Sequence, residues 1–313
     1  MSLNKQAKIY IAGHHGMVGS AVMRHLKTHG YERLMGKTSL ELDLRVAKDV
    51  EAFISIEKPD VIIACAARVG GIGANAAAPY EFLMDNLLIQ NNLIHAAHQF
   101  GVKKFIFLGS SCIYPKLAPQ PLKEEYLLTS SLEPTNEGYA LAKITGLKAC
   151  EYLKHQYQKD FTSLMPTNLY GPGDQFDLER SHVLPAMLRK FHEAKLNNHA
   201  PVILWGDGSP LREFLHVDDL ASAVHLAMEE SLDAPFYNVG SNEEVTIRQL
   251  ATMIQQVVGH TGEIHWDQNK PNGTPRKLLD SSKIKAFGWS PAIKLRQGLE
   301  STYSWYINQP QGL

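Results

Sequence analysis

Cysteine is scarce, net charge is almost absent and long apolar runs are missing, and each scarcity removes a class of protein. Only Cys65, Cys112 and Cys150 occur among 313 residues. Their number is odd and their spacings are wide, so neither a disulfide framework nor a metal-ligand spacing is written here, and no metal is expected. Such thiols suit a reducing, cytoplasmic compartment. Met1 to Lys8 holds no apolar signal region. No run approaches the roughly 20 apolar residues that cross a bilayer, so no membrane partner is expected. A formal net charge of −1 gives no sign of nucleic acid or of another polyanion. Repeats and low-complexity segments are absent.

What is present is ordinary globular composition, 44% hydrophobic and 20% charged. A chain this long buries roughly 75% of its unfolded surface and needs no covalent staple. Its first half alternates short apolar strands with helices. Lys8–Ala12, Val61–Ala64 and Lys104–Leu108 read as buried strands, as does Phe161–Leu164, stopped by Pro166. A weaker strand falls in Glu32–Gly36. Met17–Thr28, Tyr80–Phe100 and about Gly138–Gln158 have helical spacing. This alternation predicts an α/β fold with a Rossmann-type, doubly wound parallel sheet covered on both faces. After the turn Gly171-Pro172-Gly173 the elements shorten: a helix near Val183–Ala194, a strand at Val202–Trp205, a helix after Asp218, and helices at Ile247–Val258 and Arg296–Ile307. We therefore expect a dinucleotide-binding domain over 1–171, with a return segment near 212–228, and a smaller mixed α/β substrate domain over 172–313.

The strongest local motif is Gly13-His14-His15-Gly16-Met17-Val18-Gly19, set between the first strand and the first helix. Small residues there let the backbone turn tightly and approach a pyrophosphate, which the helix N-terminus attracts. The same spacing also occurs in an ordinary tight turn. An NAD site usually places an acid about 20 residues further on, against the ribose hydroxyl. Here Gly36-Lys37-Thr38-Ser39 offers a cation and hydroxyls instead, which suits the 2′-phosphate of NADP. Lys37 reads equally well as a solvated loop lysine.

Tyr139 and Lys143 stand four apart on a predicted helix and share one face. A lysine beside a tyrosine favours the phenolate, and such a tyrosine trades a proton with a carbonyl oxygen. Tyr-x-x-x-Lys is common by chance, but Ser110-Ser111-Cys112 follows a predicted strand, where parallel sheets bind ligands. Cys112 is read either as a reactive thiol or as a small core residue.

Together, Gly13–Gly19, Ser110, Tyr139, Lys143, Pro166–Pro172 and Arg212–Asp219 resemble the extended short-chain dehydrogenase/reductase family. The stretches Gly109–Lys116, Leu132–Glu137 and Lys270–Asp280 are similar to its branch that acts on GDP-4-keto-6-deoxy-D-mannose. That resemblance spans nearly the whole chain and implies NADPH-dependent 3,5-epimerisation and 4-keto reduction to GDP-L-fucose by a homodimer. It assigns Ser110, Tyr139 and Lys143 to reduction and Cys112 and His182 to epimerisation. For NADP it implies contacts at Gly13 to Gly19, Lys37, Ser39, Asp43, Leu44, Ala66, Ala67, Leu108 to Ser111, Lys143, Pro166, Thr167, Asn168, Leu169 and His182. For the nucleotide sugar it implies Asn168, Val183, Lys190, Trp205, Arg212, Asn272 and Lys277. His15, Ser39, Lys190 and Asn272 depart from the branch's usual residues. Competing readings are a 4-epimerase or 4,6-dehydratase of the same family, or a non-catalytic NADP-binding protein. The missing acid near Lys37 counts against the first, Cys112 after the serine against the second, and the tyrosine–lysine pair against the third.

Overall fold

The computed structural model describes residues 3–178, 181–270 and 272–309. The chain opens with β1 (Ile9–Ala12), α1 (Met17–Thr28), β2 (Leu34–Met35), α2 (Ala47–Glu57), β3 (Val61–Ala64), α3 (Ile72–Ala77), α4 (Pro79–Gln99), β4 (Lys104–Leu108), α5 (Glu137–Tyr157) and β5 (Asp160–Pro166). It continues with β6 (Asn168–Tyr170), α6 (Val183–Leu196), β7 (Val202–Trp205), β8 (Leu211–His216), α7 (Val217–Glu229), β9 (Phe236–Val239), β10 (Glu244–Thr246) and α8 (Ile247–Val258). The last elements are β11 (Ile264–Asp267), β12 (Arg276–Lys277), α9 (Ser282–Ala286) and α10 (Leu295–Ile307).

Six parallel strands form the main sheet in the order β2-β1-β3-β4-β5-β9. Their alternating side chains feed two separate cores. Tyr10, Ile62, Phe105, Phe107 and Phe161 face the apolar stripes of α2, α4 and α5. Ile9, Ile11, Val61, Ile63 and Ile106 face those of α1 and α7. Both faces are covered, which is why these strands read as continuous apolar runs. From β1 the chain moves outward to β2, then crosses back to β3 on the other side. That reversal opens a crevice at the carboxyl ends of β1 and β3.

A third core gathers Leu184, Leu188, Phe191, Val202, Leu204, Phe214, Leu250, Ile254 and Leu299 from α6, β7, β8, α8 and α10. At its centre β8 pairs with β6, β10 and β12. β8 runs directly into α7, so one continuous segment joins this core to the main sheet.

Some elements differ from the expectation. β5 runs through Pro166, which needs no N–H where it ends the sheet. The main sheet gains β9, whose Phe-Tyr-Asn-Val is wholly buried. α2 is a helix that periodicity does not announce, because it buries only Val50 and Ile54.

Candidate active site

Four strand ends build one wall of a cleft. After β1, Gly13 takes φ +82°, a left-handed conformation open to glycine. A Cβ there would stand 2.8 Å from the Ala66 backbone, beyond the end of β3. A Cβ on Gly19 would stand 2.2 Å from the Gly13 carbonyl oxygen. The Gly16 amide donates to that carbonyl at 3.0 Å and closes the turn. α1 then starts at Gly16 with no side-chain cap and no acid in its first turn. Its first N–H groups are left for an anion. In the turn after β6, a Cβ on Gly173 would stand 3.3 Å from the Met17 Cα, so this turn brings the neighbouring Asp174 toward the start of α1. The Asp174 Oδ2 and His14 Nδ1 are buried without a protein partner. A cradle that side chains would fill, an uncapped helix start and orphaned polar atoms fit a dinucleotide.

The Gly36–Ser39 stretch, expected to meet a 2′-phosphate, is more crowded than the sequence implies. His14 packs against Gly36 and lies 3.9 Å from the His15 ring. Lys37 pairs with Glu41 at 3.4 Å, and Glu41 also accepts from the Thr38 amide and hydroxyl at 2.8 Å. Those bonds hold the Glu41 carboxyl down at about 2. Ser39 is exposed. Further along, Arg45 pairs with Asp43 at 2.8 Å, and the Leu44 carbonyl accepts from Asn92 at 2.9 Å.

Beyond β4, Ser110 caps a single 3-10 turn, Ser111–Ile113, by accepting from the Cys112 amide at 3.3 Å. α5 packs against this turn. Lys143 on α5 is buried, donates to the Leu108 carbonyl at 2.8 Å, and sits 5.7 Å from the centre of the Tyr139 ring. Burial lowers its amine to about 8. The expectation that lysine would favour the Tyr139 phenolate is corrected here. Burial raises the Tyr139 hydroxyl, the Cys112 charge adds to that, and the lysine amine is spent on a carbonyl rather than on the hydroxyl. Burial thus favours the protonated form of the Tyr139 hydroxyl.

The opposite wall comes from the second half. His182 caps α6 through its backbone alone, leaving its imidazole free of that duty. It is open to solvent while protein surrounds it on most sides, the signature of a cleft residue. That burial lowers its pKa, with the Lys277 charge second. Lys277 on β12 lies in register beside Arg212 on β8. Its amine senses Cys112, Arg212 and Glu133. Burial raises the Cys112 thiol, and Lys277, Ser110 and Lys143 oppose it in that order. The charge of Lys277 thus acts on both Cys112 and His182, a coupling that no sequence spacing announces. Glu213 is a further hub outside the expected set. Its buried carboxylate accepts from the amides of Leu279 and Asn242 at 3.0 and 2.6 Å and fixes β8 against the chain that follows β12.

The remaining expected residues sit further out. Asn168 donates to the Glu213 carbonyl at 2.9 Å, and Thr167 reaches the same carbonyl at 3.3 Å. Lys190 donates to the Ile203 carbonyl at 3.1 Å. Val183 begins α6 and is partly exposed. Trp205 is 61% exposed, open to an incoming flat surface, and Lys270 lies 5.4 Å above it. Asn272 accepts from the Asp207 amide at 2.9 Å, and burial lowers the Arg212 guanidinium.

Comparisons with known proteins agree with this architecture. Residues 9–240 match the NAD dependent epimerase/dehydratase family. GDP-L-fucose synthase 1 of Arabidopsis thaliana is 56% identical over 97% of this chain and 94% of that protein. GDP-L-fucose synthase of Escherichia coli (strain K12) is 50% identical over 97% and 98%. The NADP-bound GDP-L-fucose synthetase of Naegleria fowleri superimposes with a TM-score of 0.90 at 27% identity, covering 98% and 96%. With these lengths covered and the crevice built as it is, the chain belongs to the NAD dependent epimerase/dehydratase family.

Proposed function

We propose that this chain converts GDP-4-keto-6-deoxy-D-mannose to GDP-L-fucose, epimerising C3 and C5 and reducing C4 with NADPH. One observation carries the reading: the Cys112 thiol, two residues past Ser110, shares a buried electrostatic cluster with Tyr139, Lys143 and Lys277. A plain ketoreductase needs the serine, tyrosine and lysine but no thiol. The high identity to GDP-L-fucose synthases supports the same assignment.

The bound cofactor supplies a hydride to C4. Gly13 to Gly19 and the start of α1 would hold its pyrophosphate; Lys37, Ser39 and His15 would border the 2′-phosphate; Asp43, Leu44, Ala66 and Ala67 would border the adenosine. Leu108 to Ser111, Pro166 to Leu169 and His182 line the nicotinamide end. On the sugar, the C4 ketone acidifies the C3 and C5 hydrogens. Cys112 removes such a proton as thiolate, a form that Lys277, Lys143 and the Ser110 hydroxyl favour against burial. His182 returns a proton from the other face. Tyr139, held as the phenol, is in the acid form that reduction consumes and donates to the C4 oxygen, which Ser110 also hydrogen-bonds. Lys143 positions Tyr139 and keeps positive charge beside it. Arg212 and Lys190 suit the diphosphate, and Trp205 offers its face to the nucleotide sugar. Val183, Asn168, Asn272 and Lys277 complete the sugar-nucleotide wall.

The reading includes a homodimer in the cytoplasm. Leu88 on α4 and Leu141 and Tyr152 on α5 are exposed, and pairing of these helices about a two-fold axis would cover them. All three cysteines are unpaired. No described helix is long and apolar enough to cross a membrane.

Cys112→Ser tests the assignment. In heavy water without NADPH the native enzyme exchanges the C3 and C5 hydrogens of the keto sugar, and the variant does not. With NADPH the variant releases a C4-reduced, unepimerised product. Exchange at the native rate would reduce Cys112 to a packing residue and remove the epimerase half.

A further inference from the structure

At the far end of the main sheet, away from the cleft, three imidazoles meet. His25 and His29 stand four apart near the end of α1, so they share a helical face. His225 faces them from α7. One ring nitrogen of each lies within 4.8 Å of the others. His25 Nε2 is 3.1 Å from His225 Nδ1. The His25 and His29 rings stack at 4.1 Å, and the His29 and His225 rings meet edge-on at 4.6 Å.

The hydrogen bonds assign the tautomers. His29 Nδ1 lies 2.7 Å from the His25 carbonyl oxygen, which only accepts, so Nδ1 carries the proton and Nε2 its lone pair. His225 Nε2 lies 3.3 Å from the Glu229 carboxylate, so it donates and leaves Nδ1 as the lone-pair atom toward His25. Glu229 is itself anchored by the Tyr31 hydroxyl at 2.6 Å and by Lys5 at 2.9 Å. A carboxylate that orients an imidazole through its second nitrogen is the usual outer partner of a metal-bound histidine.

We propose that His25, His29 and His225 form a three-histidine site for a divalent transition-metal ion, with zinc as its prototype, that clips α1 to α7. Zinc–imidazole bonds of about 2.0–2.1 Å put ligand nitrogens roughly 3.4 Å apart in a tetrahedron. The 3.1 Å pair needs only a few tenths of an ångström of opening, and His25 takes the Nδ1–H tautomer. His29 is exposed, so the fourth position opens to water. Imidazole ligands without thiolate or clustered carboxylate select zinc, nickel or copper over magnesium or calcium. The three residues lie outside the epimerase and reductase machinery.

The test uses the full chain prepared without a polyhistidine tag. Equilibrium dialysis against zinc followed by metal analysis is expected to give one ion per chain. Cobalt in place of zinc is expected to show the visible bands of a four-coordinate site. Zinc at roughly 100 times its dissociation constant should raise Tm by about 4 °C. His29→Gln and His225→Gln should each weaken zinc binding at least tenfold while zinc-free Tm and NADPH turnover stay native. Because His29 is exposed, its substitution leaves the fold intact and separates lost ligation from lost structure. Native-strength binding in both variants, or no zinc bound by the unaltered chain at micromolar free zinc, overturns the proposal.

Discussion

On the sheet side of the cleft, groups close in space are close in sequence. Gly13, Gly16 and Gly19 occupy one turn and one helix start, Ser110 and Cys112 one 3-10 turn, and Tyr139 and Lys143 one helical face. On the opposite side His182, Trp205, Arg212 and Lys277 come from four separate places, the N-cap of α6, then β7, β8 and β12. Both walls carry charge and hydrogen-bonding groups. The sheet side holds its groups by local backbone geometry; the far side depends on the third core and on the Glu213 carboxylate that pins β8 to the chain around Leu279. Substitutions on the first wall should therefore act sharply on one step. Those on the second should blur binding and positioning together.

The sharpest break is expected at Tyr139→Phe. Loss of the proton donor should cost on the order of 10²–10⁴ in turnover and leave NADPH affinity native, because the ring packing stays. Single-turnover hydride transfer and NADPH titration check this, and near-native turnover would remove Tyr139 from the chemistry. Next comes Gly19→Ala. Its methyl would stand 2.2 Å from the Gly13 carbonyl and 2.8 Å from the His14 Cα, all backbone. The turn must shift, at a cost of about 1–3 kcal/mol of stability and roughly tenfold in NADPH affinity, readable by denaturant melts and calorimetry.

A smaller effect is expected at Lys37→Glu. Reversing the one cation of the Gly36–Ser39 stretch should shrink the preference for NADPH over NADH by about tenfold, measured as the ratio of kcat/KM values. Because Lys37 already shares its charge with Glu41 at 3.4 Å, an unchanged ratio would move phosphate recognition elsewhere. The smallest is a pH effect at Asp174. Burial raises its carboxyl to about 7, above the unfolded value of about 3.9. Between about pH 4 and 7 the folded chain then holds a proton that the unfolded chain has lost, so this contribution to stability falls as pH rises. It is full below about pH 4 and gone above 7. Asp174→Asn should flatten that slope in Tm measured across the window.

The sequence by itself determined most strands and helices of the first half, though not α2 or α3, together with the tight turn at Gly13 to Gly19, the shared face of Tyr139 and Lys143, and the bounds of α8 and β7. These are decided within a few residues, by side-chain period, backbone sterics and helix ends. Tertiary structure alone decided the rest. β9 is too short for periodicity to separate from a buried helix turn, and it becomes a strand because β5 presents an open edge. The Tyr139 hydroxyl is raised rather than lowered because burial surrounds it and its lysine donates to the Leu108 carbonyl instead. The Lys277 charge acts on Cys112 and His182, and His225 meets His25 and His29, because separate elements pack together across the chain. Burial and charge proximity are sums over whatever the packed chain brings near, and no local pattern holds that sum.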